Sequence, residues 1–202
     1  MKSTAVEHAA DTMQKHRQQF EEFCRSLSEE ELTRPVPDST WTVKDFIIHL
    51  SQFDEEVTRW MVALKDGRIE APGRNEDGST FDVDAYNNAR IAERHDWPLD
   101  RILAEGTENR ARLAEVMEML EDAHIDQTVH FPGDNKRPSA DVQFKLFLVG
   151  LARHDPIHLA DMLKALPEHA SDPAIAAWMD DGAVKWYQNA MSGPPRPPRT
   201  SG

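Results

Sequence analysis

Three histidines have the residue type and spacing best suited to chemistry in this sequence. His154 and His158 lie four positions apart in the run ARHDPIHLADMLKAL, so on an α-helix their side chains share one face about one turn apart. His49 lies in a second apolar helical pattern, WTVKDFIIHLSQFDEEV. Three imidazoles that meet inside a helical bundle supply nitrogen ligands for one divalent cation and leave positions open for water or substrate. The pattern therefore predicts a metal site made of His49, His154 and His158.

The surroundings of the histidine pair leave two interpretations of its geometry. A spaced pair of this kind also occurs in helices as a solvated or hydrogen-bonded pair, but here LFLVGL precedes it and LADML follows it. Burying two imidazoles without partners would be costly, which favours a metal. Pro156 stands between the histidines and lacks a backbone donor. It either kinks the helix and opens the bundle around the metal or breaks it and removes His154 from a regular turn.

Three further side chains are candidates for the pocket or for contacts behind the metal ligands. Asp45 follows Thr42 by three positions, which fits a helix capping box better than a catalytic role. Asn87 either lines the pocket or is an ordinary surface asparagine. Asp161 lies three positions after His158 and either accepts a hydrogen bond that orients the imidazole or is exposed.

The remaining polar residues suggest no catalytic group, and the catalytic residues stay unassigned. Arg153 and Asp155 flank His154, and we expect both to form solvated salt bridges. The sequence favours a surface or capping role for His16. Cys24 lies within a helical pattern without neighbouring charges that would activate its thiol, so it is a poor candidate for a nucleophile. No Ser-His-Asp arrangement or glycine-rich phosphate loop is recognisable.

Composition excludes several classes of partner. The chain has 202 residues and a formal net charge of −13. Such an acidic chain lacks the basic surface that nucleic acids require and would be repelled by an anionic membrane. We therefore expect a small-molecule substrate, no nucleic acid and no membrane, and a homodimer. One cysteine excludes an intrachain disulfide and agrees with a cytoplasmic location.

The elements that must position these side chains are helices separated by turns, without strand-like alternation. Four long helices are predicted at about 4–27, 42–65, 98–121 and 140–166, a shorter one at about 81–95, and a last one at 173–191. This set predicts an all-α four-helix bundle with accessory helices. We expect a single domain over residues 1–191. The proline-rich segment 192–202 cannot bury a core, so we expect an extended or disordered tail there.

Three motifs in this order resemble the DinB/YfiT-like superfamily of metal-binding four-helix bundles. They are W-T-x-x-D-x-x-x-H-L at Trp41 to Leu50, D-A-Y-N-N-A-R at Asp84 to Arg90, and H-x-x-x-H-x-x-D-M at His154 to Met162. The resemblance covers about residues 5–166.

This resemblance implies a metal triad at His49, His154 and His158 that binds zinc, nickel or manganese. Related members include the mycothiol-dependent maleylpyruvate isomerases and the bacillithiol S-transferases, which implies a low-molecular-weight thiol as co-substrate. Pro156 between two of the ligands departs from the family pattern. The superfamily also contains many members without an assigned reaction, so the resemblance bears on fold and metal more than on substrate.

Three hypotheses for function follow. The first is a divalent-metal-dependent enzyme, acting as a thiol-dependent transferase or isomerase or as a hydrolase. The second is a non-catalytic, metal-stabilised protein that binds a small molecule. The third is a structural or interaction protein whose histidines belong to its core. Metal content separates the third from the others, and turnover that is lost with the metal separates the first from the second.

Overall fold

A computed structural model of the protein describes residues 3–67 and 79–191. Over these residues the chain forms ten helices and one antiparallel pair of strands. The helices are α1 (Thr4–Ser26), α2 (Glu29–Leu32), α3 (Val43–Lys65), α4 (Val83–Ala92), α5 (Leu99–Met117), α6 (Asp122–Ile125), α7 (Phe144–Leu151), α8 (His154–Met162), α9 (Pro173–Met179) and α10 (Gly182–Met191). The strands are β1 (Thr128–Phe131) and β2 (Ala140–Gln143). The predicted tail at 192–202 lies outside the described residues.

The bundle consists of α1, α3, α5 and the consecutive helices α7 and α8. Helix α3 packs along α5, while α1 contacts α5, α7 and α8. These helices bury apolar side chains at helical spacing, including Phe20 of α1, Ile47 and Leu50 of α3, and Leu113 of α5. The predicted all-α four-helix bundle with accessory helices is confirmed. Within the described residues, no helix is both long and apolar enough to span a bilayer.

Helix α3 begins at the capping box that its sequence predicts. The Thr42 side chain accepts a hydrogen bond from the backbone N–H of Asp45, and the Asp45 carboxylate accepts one from the backbone N–H of Thr42, 2.9 Å away. The capping role of Asp45 is therefore confirmed. This reciprocal pairing satisfies two backbone donors at the helix start. It fixes where α3 begins, and therefore the direction in which His49 points from the helix.

The segment before the histidine pair differs from the sequence prediction. We predicted one helix from about residue 140, but residues 140–143 form β2, which pairs with β1 in the register Thr128↔Gln143 to Phe131↔Ala140. The Asp134 carboxylate closes the connecting turn by accepting hydrogen bonds from the backbone N–H groups of Lys136 and Arg137, at 2.9 and 2.7 Å. Strands of four residues are too short to show clear alternation in the sequence.

Pro156 marks a restart of the helix rather than a kink within it. Helix α7 ends at Leu151 and α8 begins at His154, so Pro156 lies in the first turn of α8, where a backbone N–H has no helical partner to lose. The break therefore precedes His154. Both His154 and His158 belong to one regular helix, so their four-residue spacing places them on the same helix face.

The last predicted helix is also divided. Helix α9 ends at Met179 and α10 begins at Gly182. The Asp181 carboxylate accepts hydrogen bonds from the backbone N–H groups of Ala183 and Val184, at 2.8 and 3.1 Å, and such a cap starts a new helix. Trp178 of α9 is buried against the bundle, whereas Trp186 of α10 is 66% exposed.

His16 is buried, so the predicted surface or capping role was wrong. Its ring is stacked near Trp178 with centroids 5.9 Å apart, and its Nδ1 accepts a hydrogen bond of 2.7 Å from the Trp178 indole N–H. Burial lowers the pKa of His16 below its ordinary value. The ring is therefore a neutral part of the contact between α1 and α9.

Candidate metal centre

The three predicted metal ligands converge in the structure. One ring nitrogen from each of His49, His154 and His158 lies within 4.8 Å of the others. The ring centroids of His154 and His158 are 4.6 Å apart, and that of His49 lies 5.4 and 5.2 Å from them. Helix α3 supplies one imidazole and α8 supplies two. The site is therefore formed by two helices that are far apart in the sequence.

Aromatic side chains fix the positions of these imidazoles. The Phe53 ring stacks on His154 with centroids 3.7 Å apart. Trp41 lies 5.1 Å from His49, and Phe46 lies 5.5 Å from His158. These contacts restrict the rotation of the imidazoles and remove much of their surface from water.

Burial also sets the protonation state of two of the rings. It lowers the pKa of His49 well below its ordinary value, and the neighbouring His158 lowers it further. Burial lowers the pKa of His154 in the same way, assisted by His158, His49, Arg17 and Arg110. Both rings are therefore neutral at neutral pH. Neutral imidazole is the form that binds a metal ion.

Asp161 lies beside the third imidazole. Its Oδ2 is 3.4 Å from His158 Nδ1, and its Oδ1 accepts a hydrogen bond of 2.7 Å from Lys164. Burial alone would raise the pKa of Asp161, but the hydrogen bonds from His158 and Lys164 lower it. An ionised carboxylate at Nδ1 leaves Nε2 as the ring nitrogen free to bind a metal.

A small cavity adjoins His49, between α3 and α4. Its volume is about 20 Å³, which is room for about one water molecule. The residues that line it are His49, Gln52, Phe53 and Glu56 from α3, and Tyr86, Asn87, Arg90 and Ile91 from α4. Asn87 therefore lies at the pocket, as one of its two interpretations held. Gln52, Phe53 and Glu56 follow His49 at helical spacing, and this periodicity could have identified them from the sequence.

Helix α4 covers this cavity mainly through polar contacts. Gln52 Nε2 donates to the Arg90 carbonyl at 3.1 Å, and Arg90 Nε donates to Gln52 Oε1 at 2.8 Å. The Tyr86 hydroxyl donates to Glu56. Ile91 is the buried apolar residue of α4. The cavity is thus separated from solvent by polar side chains of α3 and α4, whose hydrogen bonds to each other can be replaced by hydrogen bonds to water.

Asp45 lies apart from the three histidines. Its Oδ2 serves the capping box, and its side chain borders an open groove together with Trp41, Asn88 and His95. Trp41 lies between this groove and His49, with its indole N–H donating to Asn88 Oδ1 at 2.7 Å. The hydrogen bonds of the Asp45 carboxylate thus serve the start of α3 and do not involve the imidazoles.

Comparison with known proteins agrees with this architecture. Residues 12–162 match the family described as the DinB superfamily. The chain belongs to the DinB superfamily. The matched residues include all three histidines of the site. No curated protein is similar enough in sequence to count as a match.

Two solved structures show the same fold as this DinB protein. One is the mycothiol-dependent maleylpyruvate isomerase, with a TM-score of 0.58 and 15% identity over 78% of this chain and 60% of that chain. This chain therefore spans less than two thirds of that isomerase. The other is YfiT from Bacillus subtilis, described as a probable metal-dependent hydrolase with an unusual four-helix bundle topology. It has a TM-score of 0.61 and 12% identity over 81% of this chain and 85% of that chain.

Directly behind the histidines of this DinB protein lies a buried charge network that the sequence did not suggest. We expected Asp155 to form a solvated salt bridge, but it is only 2% exposed. It pairs with Arg17 and Arg110, at 3.0 and 3.3 Å. Asp54 pairs with the same two arginines, at 3.4 and 2.6 Å. We refer to Arg17, Asp54, Arg110 and Asp155 as the core ion network.

Arg153, on the other side of His154, comes closer to the predicted solvated pairing. It is half-buried and forms an ion pair with Asp181 at 3.0 Å. Since Asp181 begins α10, this pair connects α8 to the accessory helices and leaves the bundle core untouched. Arg153 and Asp155 thus flank His154 but belong to separate sets of contacts.

The donor set fits a divalent transition metal. Three imidazoles provide nitrogen ligands of the kind that zinc and nickel prefer, whereas manganese favours carboxylates and carbonyls. Zinc–nitrogen bonds are about 2.0–2.1 Å long, and the three nitrogens already lie within 4.8 Å of one another, near the separation that one shared ion requires. The cavity that His49 lines lies next to this donor set.

A second group of residues with metal-binding potential is less suitable. Glu31, Glu168 and His169 also bring ligand atoms within 4.8 Å of one another. However, His169 Nε2 is already 2.6 Å from Glu31 Oε1, and Arg34 pairs with Glu168. A cationic guanidinium at this position already neutralises one of the carboxylates. We interpret the group as a set of ion pairs that joins α2 to the segment after α8.

Proposed function

We propose that this protein is a divalent-metal-dependent enzyme whose metal ion is held by His49, His154 and His158. The observation that carries the proposal is the convergence of three ring nitrogens within 4.8 Å. The ligands come from two helices of a bundle, and the pKa values of His49 and His154 are lowered so that both rings are neutral. Imidazole ligands favour zinc or nickel over manganese.

The proposed reaction class is a low-molecular-weight-thiol-dependent transfer or isomerisation. A bound divalent ion lowers the pKa of a coordinated water or thiol, which provides a nucleophile near neutral pH. The protein's own residues exclude water from the site and orient the ligands. Phe53 and Trp41 exclude water from the imidazoles, and Asp161 orients His158. Support for a thiol comes from the mycothiol-dependent isomerase of the same fold, while YfiT, a probable metal-dependent hydrolase, supports hydrolysis as a further possibility.

The proposal includes a small-molecule substrate that enters beside α4. The cavity next to His49 is lined by an amide, a phenol, a carboxylate and a guanidinium, contributed by Asn87, Tyr86, Glu56 and Arg90. Burial, together with the hydrogen bond to Glu56, raises the pKa of Tyr86, so its hydroxyl remains a hydrogen-bond donor at neutral pH. The cavity holds about one water molecule, so we place only the reacting polar group of the substrate there. We further propose that the protein acts as a homodimer in the cytoplasm.

Metal content of untagged protein tests the metal site. We expect near-stoichiometric zinc or nickel by elemental mass spectrometry in the wild type and its loss in both His49→Ala and His158→Ala. His130→Ala is the matched control, because His130 lies on the exposed hairpin and pairs with Asp141. Wild-type protein that contains no metal, and that takes up none from added zinc, nickel or manganese, would refute the proposal.

Turnover separates an enzyme from a metal-stabilised binding protein. Metal-loaded protein is offered mycothiol or bacillithiol with an electrophilic acceptor, and loss of the free thiol reports transfer. Isomerisation and hydrolysis do not consume the thiol, so they are followed by conversion of the substrate. Saturable turnover that disappears in His158→Ala supports the enzyme. If chelation lowers the melting temperature while no thiol-dependent or hydrolytic turnover appears with any metal, the protein is instead a non-catalytic, metal-stabilised small-molecule binder.

A further inference from the structure

The core ion network connects the four parts of the bundle at the depth of the metal centre. Arg17 belongs to α1, Asp54 to α3, Arg110 to α5 and Asp155 to α8. The four residues are at most 5% exposed. Each carboxylate contacts both arginines, and each arginine contacts both carboxylates. The network therefore balances two positive side chains with two negative ones.

One nitrogen of this network contacts both helices that carry metal ligands. Arg17 Nη2 donates to the backbone carbonyl of Leu50 at 3.0 Å and to Asp155 Oδ1 at 3.0 Å. Leu50 directly follows His49 in α3, and Asp155 directly follows His154 in α8. The guanidinium thus joins α3 and α8 at the residues next to two of the three proposed ligands.

The stability of the fold does not explain why charges occupy this position. Removing two ion pairs from water is costly, and replacing such groups by apolar residues of similar volume is often neutral or stabilising. Charged hydrogen bonds, however, impose direction and distance, which apolar contacts do not. Because the helix is interrupted between Leu151 and His154, α7 does not fix the orientation of α8. Contacts with other helices must fix it instead.

We infer that Arg17 is a positioning residue of the metal centre, and that it sets the separation of His49 from His154 by holding Leu50 and Asp155 on one guanidinium nitrogen. This inference rests on the proposed function. Arg17 touches none of the imidazoles in this role and acts through the backbone of α3 and the first turn of α8. Arg110 completes the arrangement by pairing with Asp54 and Asp155 at 2.6 and 3.3 Å.

The test compares metal binding by folded Arg17→Gln with that of Arg153→Gln. Both variants remove an arginine that pairs near His154, but Arg153 connects α8 to Asp181 rather than to α3. Zinc affinity is measured by competition with a chromophoric chelator, and ligand geometry by the visible absorption spectrum of the cobalt-substituted protein. Circular dichroism and urea unfolding establish that each metal-free variant is folded before metal is added.

We expect Arg17→Gln to bind zinc at least about tenfold more weakly than the wild type, the lower end of the range for loss of groups that orient ligands. Its cobalt spectrum should also change, while Arg153→Gln keeps wild-type affinity and spectrum. A purely structural role would lower stability but leave the affinity of the folded protein unchanged. Wild-type affinity and spectrum in folded Arg17→Gln would therefore overturn the inference.

A second variant keeps the test decisive if loss of one buried charge prevents folding. The double variant Arg17→Gln with Asp155→Asn removes one charge of each sign and leaves the Arg110–Asp54 pair in place. Its zinc affinity and cobalt spectrum decide between the same two outcomes. Failure of the proposed function is distinguishable, because in that case the wild type itself binds no metal.

Discussion

Replacing Gly106 by alanine should destabilise the protein, although alanine is the better helix former. Gly106 lies in α5 where that helix crosses α3. A Cβ at this position would lie 3.0 Å from Ser51 Oγ, 3.2 Å from Ser51 Cα and 3.2 Å from Arg17 Nη1. The Ser51 hydroxyl can rotate away, but its Cα belongs to the backbone of α3. The close contact between the new Cβ and Ser51 Cα is therefore removed only if α5 and α3 separate by a few tenths of an ångström.

The expected magnitude follows from two opposing effects. Alanine in a helix interior is favoured over glycine by about 1 kcal/mol. Extra volume in a packed interior costs about 1–3 kcal/mol, and here the crowding reaches both the backbone of α3 and the core ion network. We therefore expect Gly106→Ala to lower the free energy of unfolding by up to about 2 kcal/mol relative to the wild type.

Urea unfolding of metal-free protein measures this difference, with Gly150→Ala as the matched control. Gly150 also lies in a helix, α7, but a Cβ there would meet nothing within 4 Å. The control should keep the helix-forming gain and be stabilised by up to about 1 kcal/mol. If Gly106→Ala were stabilised to the same extent as Gly150→Ala, the close approach of α5 to α3 would be refuted.

Three other perturbations have defined outcomes. Trp178→Phe leaves His16 buried without a partner at Nδ1 and should lower the free energy of unfolding by about 1–3 kcal/mol; thermal unfolding unchanged from the wild type would contradict the hydrogen bond. The backbone N–H of Ser28 and then His169 lower the pKa of Glu31 from 4.5 to about 2, so its contribution to stability is complete above the unfolded-state value near 4.5 and disappears as the pH falls towards about 2. Glu31→Gln should therefore be less stable than the wild type at pH 6 and converge with it in acid, and a pH-independent difference would refute the assignment. Burial raises the pKa of Cys24 well above its ordinary value, so a thiol reagent should label it far more slowly in native protein than in urea, and equal rates would show that it is accessible.

The convergence of the three histidines was predictable because it depends on residue spacings within two short segments. The four-residue spacing of His154 and His158 defines one helix face, and the capping box at Thr42 fixes the phase of the helix that carries His49. Helical periodicity converts such spacings into directions. The resemblance to the DinB superfamily then joined the two helices, which local patterns alone could not do.

The core ion network was not predictable, because its four members come from four helices. Asp155 has charged and polar neighbours in sequence, and in isolation such a carboxylate is expected to face water. Its burial becomes favourable only when Arg17 and Arg110 arrive from elsewhere in the chain. His16 was misjudged for the same reason, since its hydrogen-bond partner, Trp178, lies on α9 near the other end of the protein.

Irregularities of the backbone were also beyond the reach of periodicity. The cap at Asp181 and the turn at Asp134 are both formed by hydrogen bonds from backbone N–H groups to a carboxylate. Several nearby polar side chains could accept such bonds, so the sequence does not show which one does. Asp180 and Asp181 separate α9 from α10, and apolar periodicity alone does not register this polar break. Pro156 did mark an interruption, but its effect depended on where the preceding helix ends.

The restart of the helix at His154 makes the orientation of the ligand pair independent of chain length upstream. If α7 and α8 were one continuous helix, each residue inserted in α7 would rotate everything beyond it by about 100° and would turn both imidazoles away from His49. Here the phase of α8 is reset after Leu151 and is fixed by contacts across the bundle. A change in the length of α7 therefore does not rotate the histidine pair through helical phase, although Phe144, Leu148 and Leu151 of α7 are themselves buried.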